Sequence, residues 1–256
     1  MYSDEVERFY QEGLDSVLDQ SLSPRGPELL YQIAGQLGVP TAGRVLDLGS
    51  RDGQHLVSLA DRFGWRTFGV EPAPANLAQS QLVAPGLPVA RAVGERLPFR
   101  SGVFDLVWVR DVLIHVEPLV DAFAEMGRVL RPGSPALVFH VSATPLLEPG
   151  EARRLFGPLG VVPSSVDAAA FEAAVATAGL RIERREVLHG EWREHGEEVG
   201  DDRTSRQLLR VARMVRQPER YQSLIGEAAY QVELANCLYG VYQLLGKLSA
   251  SIYVLR

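Results

Sequence analysis

Val45-Leu46-Asp47-Leu48-Gly49-Ser50-Arg51-Asp52-Gly53 is the stretch that decides the fold. Arg44–Leu48 reads as a short buried strand, and Leu56, Leu59, Ala60 and Phe63 beyond it recur as one apolar helix face. A strand that runs through such a turn into a helix has a physical purpose. Glycine lets the backbone come close to a ligand, and a helix N-terminus presents unpaired N–H groups to a carboxylate or phosphate. A dinucleotide-binding turn would want Gly-x-Gly-x-x-Gly here. Instead the second glycine is Gly53, four after Gly49, with Arg51 between them, so the dinucleotide spacing is absent. Glu71 directly follows the second strand, Arg66–Val70, where an acid can take both hydroxyls of an adenosine ribose. The ordinary alternatives are a tight turn with no ligand and, for Glu71, a solvated surface acid.

Outward from this turn the chain alternates strand and helix, the rhythm of an α/β sheet. A helix near 75–84 follows, then strands at Val89–Val93 and Phe104–Val109. A helix over 118–130 stops at Arg131-Pro132-Gly133, and Ala136–Val141 is the fifth strand. An alanine-rich helix at 167–178 leads to a sixth strand at 180–188. Residues 191–247 break the rhythm and read as a helical insertion placed as a lid, before a last strand at 249–255. Upstream, Val6, Phe9 and Tyr10 mark one helix and Leu29, Leu30, Ile33 and Leu37 a second, separated by Ser23-Pro24-Arg25-Gly26-Pro27. The organisation expected is a helical cap over 1–40, a core over 41–190, a lid over 191–247, and a final core strand over 248–256.

Bulk properties narrow the function. The 256 residues, 46% hydrophobic, suit a well-buried core, and a net charge of −6 argues against nucleic-acid backbones and anionic membranes as partners. The single cysteine, Cys237, excludes an internal disulfide and a cysteine-rich metal site, and reads as a small buried hydrophobe. The acidic N-terminus does not read as a signal peptide and no apolar run is long enough to span a membrane, so a cytoplasmic protein is expected.

The quoted stretch resembles the first motif of class I S-adenosylmethionine-dependent methyltransferases, V-L-D-L-G-C-G-x-G. Gly69-Val70-Glu71 resembles the second. Glu95-Arg96-Leu97-Pro98-Phe99 and Phe104-Asp105-Leu106-Val107 resemble the next two, and Val112-Leu113-Ile114-His115-Val116 and Leu130-Arg131-Pro132-Gly133 complete the series. The likeness runs in order over roughly residues 40–142 and points to the small-molecule branch called type 11. It departs from the pattern at Arg51, where the family has glycine, and at Val93, where it often has an adenine-contacting aspartate.

The resemblance implies a Rossmann-like, doubly wound, mostly parallel seven-stranded sheet with an antiparallel last strand and a helical lid. It implies S-adenosylmethionine as cofactor, held by Asp47, Gly49, Ser50, Gly53 and Glu71 together with Pro72. Glu95, Arg96 and Leu97 are expected near adenine, Arg25 on the methionine carboxylate, and Arg110 and Asp111 at the end of the fourth strand reaching the pocket. The activity implied is methyl transfer to a small molecule, with oxygen as the expected acceptor and a biosynthetic role. The alternative is a protein of this fold that binds the cofactor but catalyses a different reaction or serves as a scaffold.

Histidine is the side chain suited to accept a proton near neutral pH, so His115, His140 and His195 are the candidate bases, with His189 beside them. Each is also readable as structural: His115 holding a loop, His140 satisfied in the core. His189 and His195 are six apart on an irregular segment, which makes a metal site a weak reading, and none is expected. Arg203, Arg206, Arg210, Arg213, Arg216 and Arg220 fall close to one helical face, either a solvated lid surface or a site for an acidic substrate or carrier protein. A carrier protein and a second copy of the chain are the macromolecular partners considered.

Overall fold

The computed structural model describes residues 15–256. The helix expected around Val6, Phe9 and Tyr10 lies outside the described residues. Seven strands form one sheet: β1 (Arg44–Leu48), β2 (Arg66–Val70), β3 (Val89–Ala90), β4 (Leu106–Arg110), β5 (Ala136–Ala143), β6 (Ile182–His189) and β7 (Leu248–Leu255), in the order β3-β2-β1-β4-β5-β7-β6. β1 pairs in parallel with β2 and β4, and β4 with β5, whereas β7 runs antiparallel to both β5 and β6. The order reverses beside β1, so the ends of β1 and β4 open onto the crevice where ligands of doubly wound sheets bind.

Strand parity assigns the faces. Val45, Trp108 and Phe139 lie in one core layer with Leu30, Ile33 and Leu59, under α2 (Glu28–Gln36) and α3 (Gln54–Phe63). Leu46, Val107 and Val138 lie in the other with Phe123, Met126 and Phe171, under α5 (Leu119–Val129) and α7 (Ala168–Thr177). Of the other helices of this half, α1 (Asp15–Leu18) opens the described chain, α4 (Pro74–Val83) links β2 to β3, and α6 (Pro149–Leu159) follows β5. Helix α6 is absent from the sequence expectation, its start concealed by Pro149-Gly150. A reciprocal capping box between Glu148 and Glu151 supplies the start signal. β3 is also shorter than expected, because Val93 bends back to bridge Arg96.

The insertion between β6 and β7 is four helices: α8 (Glu191–Glu198), α9 (Arg203–Arg216), α10 (Pro218–Ile225) and α11 (Glu227–Leu244). Its internal contacts are close. A Cβ on Gly240 of α11 would fall 1.9 Å from Gln207 Oε1 of α9. Glu197 of α8 accepts from the backbone N–H groups of Thr204 (2.8 Å) and Ser205 (3.3 Å), capping an α9 start that Asp202 leaves uncapped. Among the described residues no helix is long and apolar enough to cross a membrane.

Candidate active site

The turn after β1 is built from acceptors. Asp47 is 1% exposed and Ser50 is 2% exposed, and neither Asp47 Oδ2 nor Ser50 Oγ has a hydrogen-bond partner among the described residues. A buried polar atom without a partner costs free energy, so such atoms point to an unseen ligand. Burial pushes the Asp47 carboxyl up to about 7, against the lowering pull of Arg110. Gly53 caps α3 without a side chain, and the first N–H of that helix, from Gln54, donates to Asp52 Oδ1 at 3.3 Å. Arg51 adopts φ 49°, a left-handed conformation that disfavours a side chain with a Cβ.

Glu71, 6% exposed, is fixed where the motif requires. Its Oε2 accepts from the Arg51 backbone N–H (3.0 Å), and its Oε1 from the Ala73 N–H (2.9 Å) and Asn76 Nδ2 (3.1 Å). A carboxylate has about four acceptor positions, so one stays open for a ribose hydroxyl. Pro72 is exposed beside it. The Glu95–Phe99 loop is clamped from behind by α5, a support the sequence reading missed. Glu125 accepts from the Leu97 N–H (2.7 Å), and Arg128 donates to the carbonyls of Leu97 (3.1 Å) and Phe99 (2.8 Å). Glu95 is half-buried there, whereas Arg96 is exposed.

Next to this turn, under the lid, lies a cavity of about 540 Å³, within the ~300–1,000 Å³ range of small-molecule sites. Arg110, Asp111 and Phe139 reach it from the strand ends, and Trp192, Arg193 and His195 from α8. Trp192 stacks on Phe139 with ring centroids 4.1 Å apart, and the Arg110 guanidinium lies 5.6 Å from the Trp192 ring. Arg110 Nη1 donates to His55 Nε2 (2.8 Å). Burial lowers His55 to about 4, so the ring is neutral and its Nδ1–H donates to Tyr31 Oη (2.8 Å). This chain fixes Arg110 between the turn and the cavity.

Asp111 has φ 53°, and its carboxylate accepts from the Tyr239 hydroxyl at 2.9 and 3.1 Å. Backbone strain of this kind gathers at functional sites. Burial raises the Asp111 carboxyl to about 6, with Tyr239 pulling the other way. The Tyr239 hydroxyl is pushed well above its ordinary value, first by burial and then by Asp111, so it stays a donor.

Three expected site residues are placed elsewhere. Arg25 does not reach the crevice: its guanidinium is held by Glu191 (2.7 Å), Glu186 (2.8 Å) and the Val187 carbonyl (3.2 Å), locking the cap to the lid. His140 is on the wrong face. Arg110 pairs in register with Phe139, so the next residue points to the opposite layer, where His140 stacks on Phe171 (4.1 Å) and burial lowers it to about 3. His115 is exposed, with Nδ1 3.0 Å from the Gly160 carbonyl. His195 lines the cavity while packed against Gly26, and His189 sits 3.4 Å from Ser249 Oγ. Asp111 lines the cavity as its position at the end of β4 implies, and its Tyr239 partner is visible only in the fold.

A methyltransferase domain family matches residues 46–138, which contain the turn, Glu71, the clamped loop, Arg110 and Asp111. A demethylmenaquinone methyltransferase of Beutenbergia cavernae is 35% identical over 109 residues, 43% of this chain and 45% of that one. The chain spans about half the length of the curated relatives it matches. Among solved structures, the [4+2]-cyclase SpnF has a TM-score of 0.67 at 19% identity, covering 90% of this chain and 80% of that one. The cyclopropane synthase MmaA2 from Mycobacterium tuberculosis has a TM-score of 0.66 at 16% identity, covering 89% and 82%. The sheet order agrees with these likenesses, and over residues 46–138 the chain matches the type 11 methyltransferase domain family.

Proposed function

We propose that the chain is an enzyme that uses S-adenosylmethionine to methylate an oxygen of a small molecule in the lid cavity, as a biosynthetic step. The observation that carries this is the pair of orphaned, buried acceptors, Asp47 Oδ2 and Ser50 Oγ, beside a glycine-capped helix start and a cavity of small-molecule size. These residues fit the cofactor. Asp47 would hold its amino group, Glu71 a ribose hydroxyl, and Arg110 its carboxylate, since Arg25 is committed to Glu186 and Glu191. When bound, the cofactor supplies a methyl group on an already electrophilic sulfonium.

The chain's own task is then to align the acceptor, exclude water and remove a proton. Asp111 lines the cavity with its carboxyl held at about 6, close to the value at which a base is both free and effective near neutral pH. Tyr239 holds that carboxylate from behind and leaves lone pairs for the substrate. A base at the acceptor supports a hydroxyl as the nucleophile.

The test follows radiolabel from methyl-labelled S-adenosylmethionine into a panel of hydroxylated small molecules, with S-adenosylhomocysteine formation measured in parallel. The expected result is label in a hydroxylated product and equimolar S-adenosylhomocysteine. Cofactor binding with no label transferred to any acceptor would favour a different reaction on the same fold.

A further inference from the structure

We propose that Arg193 binds an oxyanion carried by the substrate, a carboxylate or a phosphate; this rests on the cavity being the acceptor site. Arg193 extends from α8 into the cavity, where Gln243 of α11 accepts from its Nε at 3.1 Å. That bond orients the guanidinium and leaves both Nη groups without a hydrogen-bond partner among the described residues. Two parallel N–H groups of this kind match a carboxylate or phosphate edge.

The acids around the cavity are all engaged elsewhere. Asp111 is held by Tyr239, Asp201 pairs with Arg203 at 3.4 Å, and Glu197 caps α9. None forms an ion pair with Arg193, although Asp111 and Asp201 attract it through space. Of the other half-buried arginines, Arg128 pairs with Glu125 and Arg25 with Glu191, whereas Arg110, like Arg193, has no carboxylate partner among the described residues and is held by His55. A half-buried cation without a counter-ion is costly, and burial accordingly lowers the Arg193 pKa. The cofactor would bring one carboxylate, for Arg110 to hold, so the second guanidinium calls for a second anion.

The experiment is calorimetric titration of the full chain with inorganic phosphate, with benzoate and, separately, with S-adenosylhomocysteine. At least one of the two anion probes is expected to bind with unit stoichiometry, and its identity distinguishes phosphate from carboxylate. Arg193→Gln is expected to weaken that binding at least about tenfold, with S-adenosylhomocysteine affinity unchanged as evidence of an intact fold. Arg193→Lys, which keeps the charge but not the fork, is expected to fall between. Arg206→Gln combined with Arg213→Gln, on the exposed side of α9, is expected to leave anion binding unchanged. Failure of both anions to bind the wild-type chain, or equal binding by Arg193→Gln, would overturn the proposal. Loss of S-adenosylhomocysteine binding by the wild-type chain would instead overturn the reading of the turn.

Discussion

The turn after β1 and the cavity under the lid are neighbours with opposite chemistry. The turn offers buried acceptors, Asp47, Ser50 and Glu71, whereas the cavity offers half-buried donors, Arg110 and Arg193. A cationic, hydroxylated ligand fits the first and an anionic one the second. Their meeting point is the end of β4, where Arg110 lies between the turn and the cavity and Asp111 lines the cavity. In the proposed reaction, one strand end would set both the orientation of the cofactor and the chemistry of the acceptor.

The sharpest way to break this comparison is to neutralise the base on the cavity side. Asp111→Asn keeps the Tyr239 contact and removes the proton acceptor. The expected loss in kcat is about 10²- to 10⁴-fold, with S-adenosylhomocysteine affinity unchanged. In the wild-type chain, turnover is expected to fall as pH drops through about 6, as the Asp111 carboxylate takes up its proton. An equal loss of cofactor affinity in Asp111→Asn would merge the two regions into one site.

A smaller effect comes from the turn. The folded chain holds the Asp47 proton up to about 7, whereas the ordinary carboxyl loses it at 3.8. Over that window the unfolded chain binds fewer protons, so this group's contribution to stability falls as pH rises, and levels off above about 7. Asp47→Asn removes the slope. Without ligand, the variant's melting temperature is expected to gain on the wild type from pH 4 to pH 7. A gap that stays constant across that range would mean that Asp47 is not buried as an acid.

Arg51→Gly is the mildest change. It relieves a left-handed residue, and the freedom glycine adds to the unfolded chain offsets part of the gain, leaving about 1 kcal/mol or less of stabilisation. Thermal unfolding measures this directly, and destabilisation would show that the exposed Arg51 side chain makes contacts of its own.

The same comparison explains what was legible in the amino-acid order. The turn comes from one continuous stretch, so strand, glycine spacing, helix and Glu71 are all local signals. The cavity depends on long-range pairs: Asp111 meets Tyr239 across 128 positions, and Arg193 meets Gln243 across 50. The place of Arg25 is hidden for the same reason, since its partner Glu191 lies 166 positions away. His140 needed the β4–β5 register, because one residue along a strand changes the face. Helix α6 needed its capping box to be recognised through Pro149 and Gly150.

The central claim is that the turn from Asp47 to Gly53 and the carboxylate of Glu71 hold S-adenosylmethionine. Calorimetric titration of the full chain with S-adenosylhomocysteine, beside Glu71→Ala, tests it most directly. The account predicts one site with a dissociation constant on the order of micromolar, weakened about 10- to 100-fold in Glu71→Ala, as expected for lost hydrogen bonds to a charged group. No binding by the wild-type chain, or equal binding by Glu71→Ala, would contradict it.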